Sequence, residues 1–286
     1  MSAHSSAQPT SPLATADPVW SQCLQQRQRF AQASVLILGH GSSKHPDSSL
    51  SCRQLAVRLR ALGLFAQVEL GFLKEQPSVE GALARCTADE IFVVPVFLAE
   101  GYFTKRVIPQ MLGLEQGTNY LAGKTIHLCQ PLGVNPRMQE LLVQTASALL
   151  QKFDLAGNSQ LAETAMLLVG HGSTKSKTST ATLKWHRDEI RQLGLFQQVE
   201  DVYLEEPVFV KDWRQSITAS QLVVVAFLIA NGQHGGWDIP EDMGIDISQP
   251  VIGRKHQLDD QTVYLASAVG TQPEMLDVLL AELVRW

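Results

Sequence analysis

Apolar residues in this chain come in short blocks separated by stretches of helical period. Ser34-Val35-Leu36-Ile37-Leu38 is stopped by Gly39, and Ala165-Met166-Leu167-Leu168-Val169 is stopped in the same way by Gly170. Runs of this kind, too short for helices and closed by glycine, predict buried strands that end in tight loops. In the first half the pattern predicts strands over Val35–Gly39, Gln67–Leu73, Glu90–Leu98 and Thr125–Gln130. Helical periodicity falls near Ser49–Leu62, Ser78–Cys86, Lys105–Leu112 and Pro136–Phe153. Strand and helix in alternation predict a parallel sheet with helices on both faces.

The pattern then repeats. His40 and His171 are 131 residues apart, and Leu62-Gly63-Leu64-Phe65-x-Gln67-Val68-Glu69 returns at the same offset as Leu193-Gly194-Leu195-Phe196-x-Gln198-Val199-Glu200. Ile108-Pro109 returns as Ile239-Pro240. Gly133-x-x-Pro136-x-Met138 returns 137 residues on as Gly270-x-x-Pro273-x-Met275, so about six extra residues sit around 244–261. A constant offset over most of the length predicts a duplication. The expected organisation is an N-terminal extension over 1–33, one α/β domain over 34–157 and a second over 158–286, with a binding cleft between the two. Residues 1 to about 16, mostly Ser, Ala, Thr and Pro, predict a disordered tail rather than a signal peptide. Asp17-Pro18 then predicts an N-cap followed by a short helix through Phe30.

Charge and cysteine usage narrow the classes of function. With 286 residues and a net charge of −5, the chain has no footprint for nucleic acid or an anionic membrane. No apolar run is long enough to span a bilayer. Cys23, Cys52, Cys86 and Cys129 are scattered without a C-x-x-C pair, which predicts a reducing cytoplasm and no structural zinc or iron–sulfur site.

The two central runs end in the same four letters, Gly39-His40-Gly41-Ser42 and Gly170-His171-Gly172-Ser173. That places a histidine at the carboxyl end of a parallel strand, where open α/β sheets hold ligands. After the third strand the second copy carries Gly232-Gln233-His234 where the first has Gly101-Tyr102-Phe103. After the second strand come Glu205-Glu206-Pro207 and, in the first copy, Lys74-Glu75-Gln76-Pro77. His171, His234 and Glu205 or Glu206 are therefore expected to meet at one rim. Two imidazoles and a carboxylate suit a loosely held divalent cation.

In combination these motifs resemble the CbiX/SirB-type sirohydrochlorin chelatases of the class II chelatase superfamily. The resemblance covers residues 34 to 286. It implies two duplicated flavodoxin-like, chelatase-like domains enclosing a tetrapyrrole. It implies insertion of Co²⁺ or Fe²⁺ as the substrate metal into sirohydrochlorin, with no tightly bound cofactor. Carried over, the metal-binding and catalytic roles fall on His171, His234 and Glu205, with Glu206 as the second choice for the acid. The first copy keeps only His40 and Glu75 of this set. Sirohydrochlorin is a polycarboxylate, and His40, Ser42, Lys44, Phe103, Ser173 and Lys175 are the expected substrate-binding residues, with Lys105 and Arg106 on the first-domain side. Trp237 and Phe103 are candidates to stack on the macrocycle or to pack in the core. His45, His127, His186 and His256 are expected to be ordinary surface or helix residues. Oligomeric state stays open between monomer and homodimer. A non-catalytic tetrapyrrole or metal carrier with a degenerate chelatase fold is the alternative, whereas a dinucleotide enzyme would need a G-x-G-x-x-G that neither first strand offers. The absence of a G-x-x-x-x-G-K-[ST] loop fits a metalation that needs no nucleotide.

Overall fold

Residues 17–43, 46–173 and 177–286 are described in the computed structural model. Each half builds a five-stranded sheet. In the first, β1 (Ala33–Gly39), β2 (Gln67–Phe72), β3 (Glu90–Pro95), β4 (Gly117–Leu121) and β5 (Lys124–Leu128) lie in the order β2-β1-β3-β5-β4. In the second, β6 (Thr164–Gly170), β7 (Gln198–Tyr203), β8 (Gln221–Ala226), β9 (Arg254–Leu258) and β10 (Gln261–Leu265) follow the same plan, β7-β6-β8-β10-β9. The central strands β1 and β6 are buried at every position. An apolar run between two parallel neighbours with both faces covered has no solvent side to present.

Four strands of each sheet are parallel, as the alternating pattern predicts, but the fifth is not. β4 and β9 pair antiparallel with β5 and β10 at the sheet edges. Neither shows an apolar run: β4 reads GTNYL and β9 reads RKHQL, with mostly exposed or half-exposed side chains. A polar edge strand lacks the hydrophobic signal and discourages pairing with another chain. β9 lies 137 residues after β4, so the extra residues fall in the loop before β9 and lengthen it. The helix expected over Ser78–Cys86 shrinks to Ala82–Arg85.

The two halves share one apolar cluster, beside a cluster that belongs to each half alone. Helices Leu50–Ala61, Arg137–Gln151, Thr178–Gln192 and Met275–Leu283 contribute Leu55, Leu59, Leu142, Leu149, Leu183, Ile190, Leu279 and Leu283 to a single apolar cluster. Helix Arg137–Gln151, from the first half, packs on β8 and on helix Thr178–Gln192 of the second. Helix Met275–Leu283 packs in turn on helix Leu50–Ala61. Polar ties cross the same seam. Ser51 Oγ donates to the Ile229 carbonyl at 2.6 Å, and His186 Nε2 donates to the Gly133 carbonyl at 2.7 Å. The Glu282 carboxylate, 1% exposed, accepts from the Gln130 backbone N–H at 3.0 Å and from Asn135 Nδ2 at 3.3 Å.

The segment expected as an N-terminal extension joins this core from residue 17 onward. Asp17 caps helix Pro18–Gln25 by accepting from the Val19 N–H at 2.8 Å, and it also pairs with Arg137. Cys23 and Phe30 are fully buried. The expected tail over 1–16 lies outside the described residues. Two histidines expected as ordinary surface or helix residues are buried. His127 sits on β5 between Glu90 Oε1 at 2.9 Å and Thr118 Oγ1 at 3.0 Å, and His186 lies inside its helix against the first half. His256 is on β9, bonded to the Val251 carbonyl, and His45 is outside the described residues.

Candidate metal and tetrapyrrole site

In each sheet the chain leaves the central strand, pairs on one side, then crosses to the other side for its third strand. The loops after β1 and β3, and after β6 and β8, therefore flank the point where the winding reverses, and a crevice opens at their carboxyl ends. The two crevices face each other across a single cleft of about 2110 Å³, lined by His40 and Phe103 from one half and by His171, His234 and Trp237 from the other. This exceeds the roughly 300–1,000 Å³ usual for small-ligand pockets and suits a large flat ligand.

The G-H-G-S loops are built alike. Gly172 has φ +73°, and a Cβ there would stand 3.0 Å from Glu206 Cγ. At Gly41, φ +66°, it would stand 2.6 Å from Glu75 Cγ. Glycine thus opens the turn and admits a carboxylate beneath it. Glu206, 4% exposed, accepts from the Ser173 N–H at 3.0 Å, from Lys177 Nζ at 2.7 Å and from Thr180 Oγ1. Burial alone would raise its pKa, but these bonds to the charged form outweigh it and bring the group down to about 2. Glu75 does the same work in the first half, accepting from the Ser42 N–H at 3.1 Å and from Arg53 Nη2 at 2.6 Å. Glu206, expected as a second choice for metal ligand, is therefore engaged as the anchor of its loop. Glu75 is its counterpart in the first half.

His171 and His234 come together, their ring centroids 4.8 Å apart and their planes at 89°. His234 Nδ1 lies 2.6 Å from Asp238 Oδ2, and His171 Nδ1 lies 3.2 Å from the Gly172 carbonyl. A carbonyl and a carboxylate only accept, so the proton of each neutral ring belongs on Nδ1 and the Nε2 lone pair is left for a cation. Glu205 Oε2 stands 3.7 Å from His171 Nδ1, beyond hydrogen-bond reach and on the protonated side of the ring. Among the described residues no three His, Cys, Asp or Glu side chains converge as a closed metal site. The arrangement is two nitrogen donors with an exposed carboxylate near them, open on the cleft side.

The first half reproduces the frame with one imidazole in place of two. His40 and Phe103 stand 4.9 Å apart at 80°, matching the His171–His234 pair. Ser42 and Ser173 present their backbone N–H groups to the anchoring glutamates. Lys105 is tied to Glu100 at 2.5 Å. Trp237 and Tyr102 line the cleft with 56% and 67% of their surfaces exposed, so neither is core. Lys44 and Lys175, expected at the mouth, lie outside the described residues. Sequence reasoning does not single out Asp238, although its i,i+4 spacing from His234 carried the signal. The counterpart of Asp238 at the shared offset is Val107, so the first copy carries neither the acid nor the histidine it touches.

The profile of the CbiX family matches residues 34–149 and again 165–285. A probable sirohydrochlorin cobaltochelatase of Halobacterium salinarum is 34% identical over 265 residues, covering 86% of this chain and 89% of the relative. A sirohydrochlorin cobaltochelatase of Methanopyrus kandleri is 34% identical over 132 residues, covering 92% of itself but 38% of this chain, as a relative of one half would. Among solved structures, a multi-domain Deinococcus radiodurans protein described as similar to chelatases superposes with a TM-score of 0.72 at 27% identity, over 88% of this chain and 54% of that one. With the motif-bearing loops of both halves inside the matched segments, the chain belongs to the CbiX family.

Proposed function

We propose that this protein inserts Co²⁺ or Fe²⁺ into sirohydrochlorin, with the second half carrying the chemistry. The observation that supports this most directly is the His171–His234 pair, two imidazoles at 4.8 Å on a cleft large enough for a macrocycle. Metalation replaces two pyrrole N–H protons by one divalent cation. Two neutral imidazole donors hold such a cation less tightly than a dianionic macrocycle does, so transfer runs downhill without a nucleotide. As the cation leaves, the imidazoles and the solvent-exposed Glu205 carboxylate are at hand to take the released protons. Asp238 holds His234 in the tautomer that binds metal.

No cofactor beyond the substrate metal is called for, and because both walls of the cleft come from one chain, a monomer suffices and a homodimer is allowed. No described helix is long and apolar enough to cross a membrane. Four free, buried cysteines support a cytoplasmic setting. The test is purified protein with sirohydrochlorin and Co²⁺ or Fe²⁺, followed by absorbance. Multiple turnovers that vanish in His171→Ala and His234→Ala are expected; tight binding at the uncatalysed rate would make the protein a carrier instead.

A further inference from the structure

The first half's counterpart of the metal site is intact in backbone and reversed in charge. Lys74 N–H donates to the His40 carbonyl at 3.0 Å, and Glu205 N–H donates to the His171 carbonyl at 3.0 Å. One residue earlier, Leu73 N–H reaches the Gly39 carbonyl at 3.2 Å and Leu204 N–H reaches the Gly170 carbonyl at 3.1 Å. Lys74 thus leaves the chain where Glu205 leaves it in the other half. Around it, Phe103 replaces His234 and Val107 replaces Asp238, while His40 and the anchoring Glu75 remain. A decayed site that had only lost its metal would have no need of a cation in place of the acid.

Lys74 is exposed and lines the cleft. Among the described lining residues it is the one ammonium, and no described carboxylate pairs with it. The neighbouring acids are occupied: Glu75 by Arg53 and Glu100 by Lys105. On the facing wall Asp238 is held by His234, and Glu241 lines the second half's side of the cleft rather than the side that carries Lys74. We infer that Lys74, framed by His40 and Phe103, is a carboxylate subsite that grips one acidic side chain of the tetrapyrrole and so presents the macrocycle to His171 and His234. The inference rests on the chelatase reading for its ligand. The same charge keeps a free cation away from His40, so that one half takes the metal and the other takes the anion.

The experiment measures equilibrium binding of metal-free sirohydrochlorin by absorbance, beside turnover with Co²⁺, in Lys74→Ala, Lys74→Arg and Lys74→Glu. Removing the ammonium while the ligand keeps its carboxylate predicts about a tenfold rise in Kd and in KM for sirohydrochlorin in Lys74→Ala. Lys74→Glu should do worse and Lys74→Arg should restore most of the affinity, with kcat and the KM for Co²⁺ hardly moved. A Kd for sirohydrochlorin within about twofold of wild type in both Lys74→Ala and Lys74→Glu overturns the inference, as does a loss confined to kcat. Wild type that binds sirohydrochlorin without turning it over would end the chelatase reading and leave the binding arm to decide on Lys74. Wild type that does not bind it ends both.

Discussion

On the proposed function, the orientation of two imidazoles decides the chemistry, and the groups bonded to their Nδ1 atoms, Asp238 and the Gly172 carbonyl, set that orientation. Replacing either His171 or His234 by alanine breaks the imidazole pair on the cleft, His40 standing in the other half beside Phe103, so turnover should fall by at least about 100-fold. Asp238→Ala leaves His234 free to change tautomer and rotamer; a loss of about 10–100-fold in activity or metal affinity is expected, measured by turnover and by Co²⁺ titration. Glu206 makes a prediction of another kind, read in stability. Its pKa lies near 2 in the folded state against 4.5 ordinarily, so the ionised form contributes to folding above about pH 4.5. That contribution, on the order of 2–3 kcal/mol, fades as pH falls through the window between the two values. Glu206→Gln should lower the melting temperature at neutral pH and flatten that acid limb. An unchanged profile would mean that the loop is held by something else.

At the scale of elements, the repeated glycines mark where backbone meets backbone. A Cβ at Gly270 would stand 2.4 Å from Ile229 Cα, and one at Gly133 would stand 2.0 Å from the Leu98 carbonyl oxygen. Ile229 and Leu98 begin the loops that carry His234 and Phe103, and Ser51 holds the Ile229 carbonyl from the other half. Main chain cannot swing aside as a side chain can. Gly270→Ala is therefore expected to cost about 2 kcal/mol or more in a denaturant titration and to lower kcat through a displaced His234. Gly133→Ala should cost a comparable amount of stability, but its kinetic effect should fall on KM for sirohydrochlorin, because its loop carries no metal donor.

For the molecule as a whole, the halves behave as one body because each sends its last helix and several polar groups across the seam. His186 shows this most clearly: it lies in the second half, yet its Nε2 donates to Gly133 of the first. Burial lowers its pKa from 6.5 to about 4, against the smaller upward pull of the Gly133 carbonyl. The unfolded chain therefore takes up a proton that the folded one refuses between those values. Stability should be full above about pH 6.5 and decline by about 3 kcal/mol on acidification to pH 4. His186→Gln should remove that slope while the acid limb belonging to Glu206 remains. Unfolding followed by two probes, one in each half, should give coincident transitions, since each half has an apolar cluster of its own but packs its other buried residues in the cluster the two share.

Periodicity and the internal offset were enough to read the strand–helix order, the duplication, the two H-G-S loops and the pairing of His171 with His234, because each depends on local pattern or on the general rule that ligands bind at strand ends. β4 and β9 were not legible, since a polar edge strand carries no apolar alternation. The division of labour between Glu205 and Glu206 was hidden as well. Adjacent residues of the same type differ only in which way the chain turns them, and a buried Thr180, the Ser173 N–H and Lys177 claim one of them. Asp238 was visible as a spacing but acquired meaning only from its contact with His234. Local sequence determines elements and the residues they offer. Which side chains face the cleft and which brace the loop is decided by packing between neighbouring strands and helices some tens of residues apart. The ties across the two halves, such as Ser51 to Ile229, join segments more than a hundred residues apart.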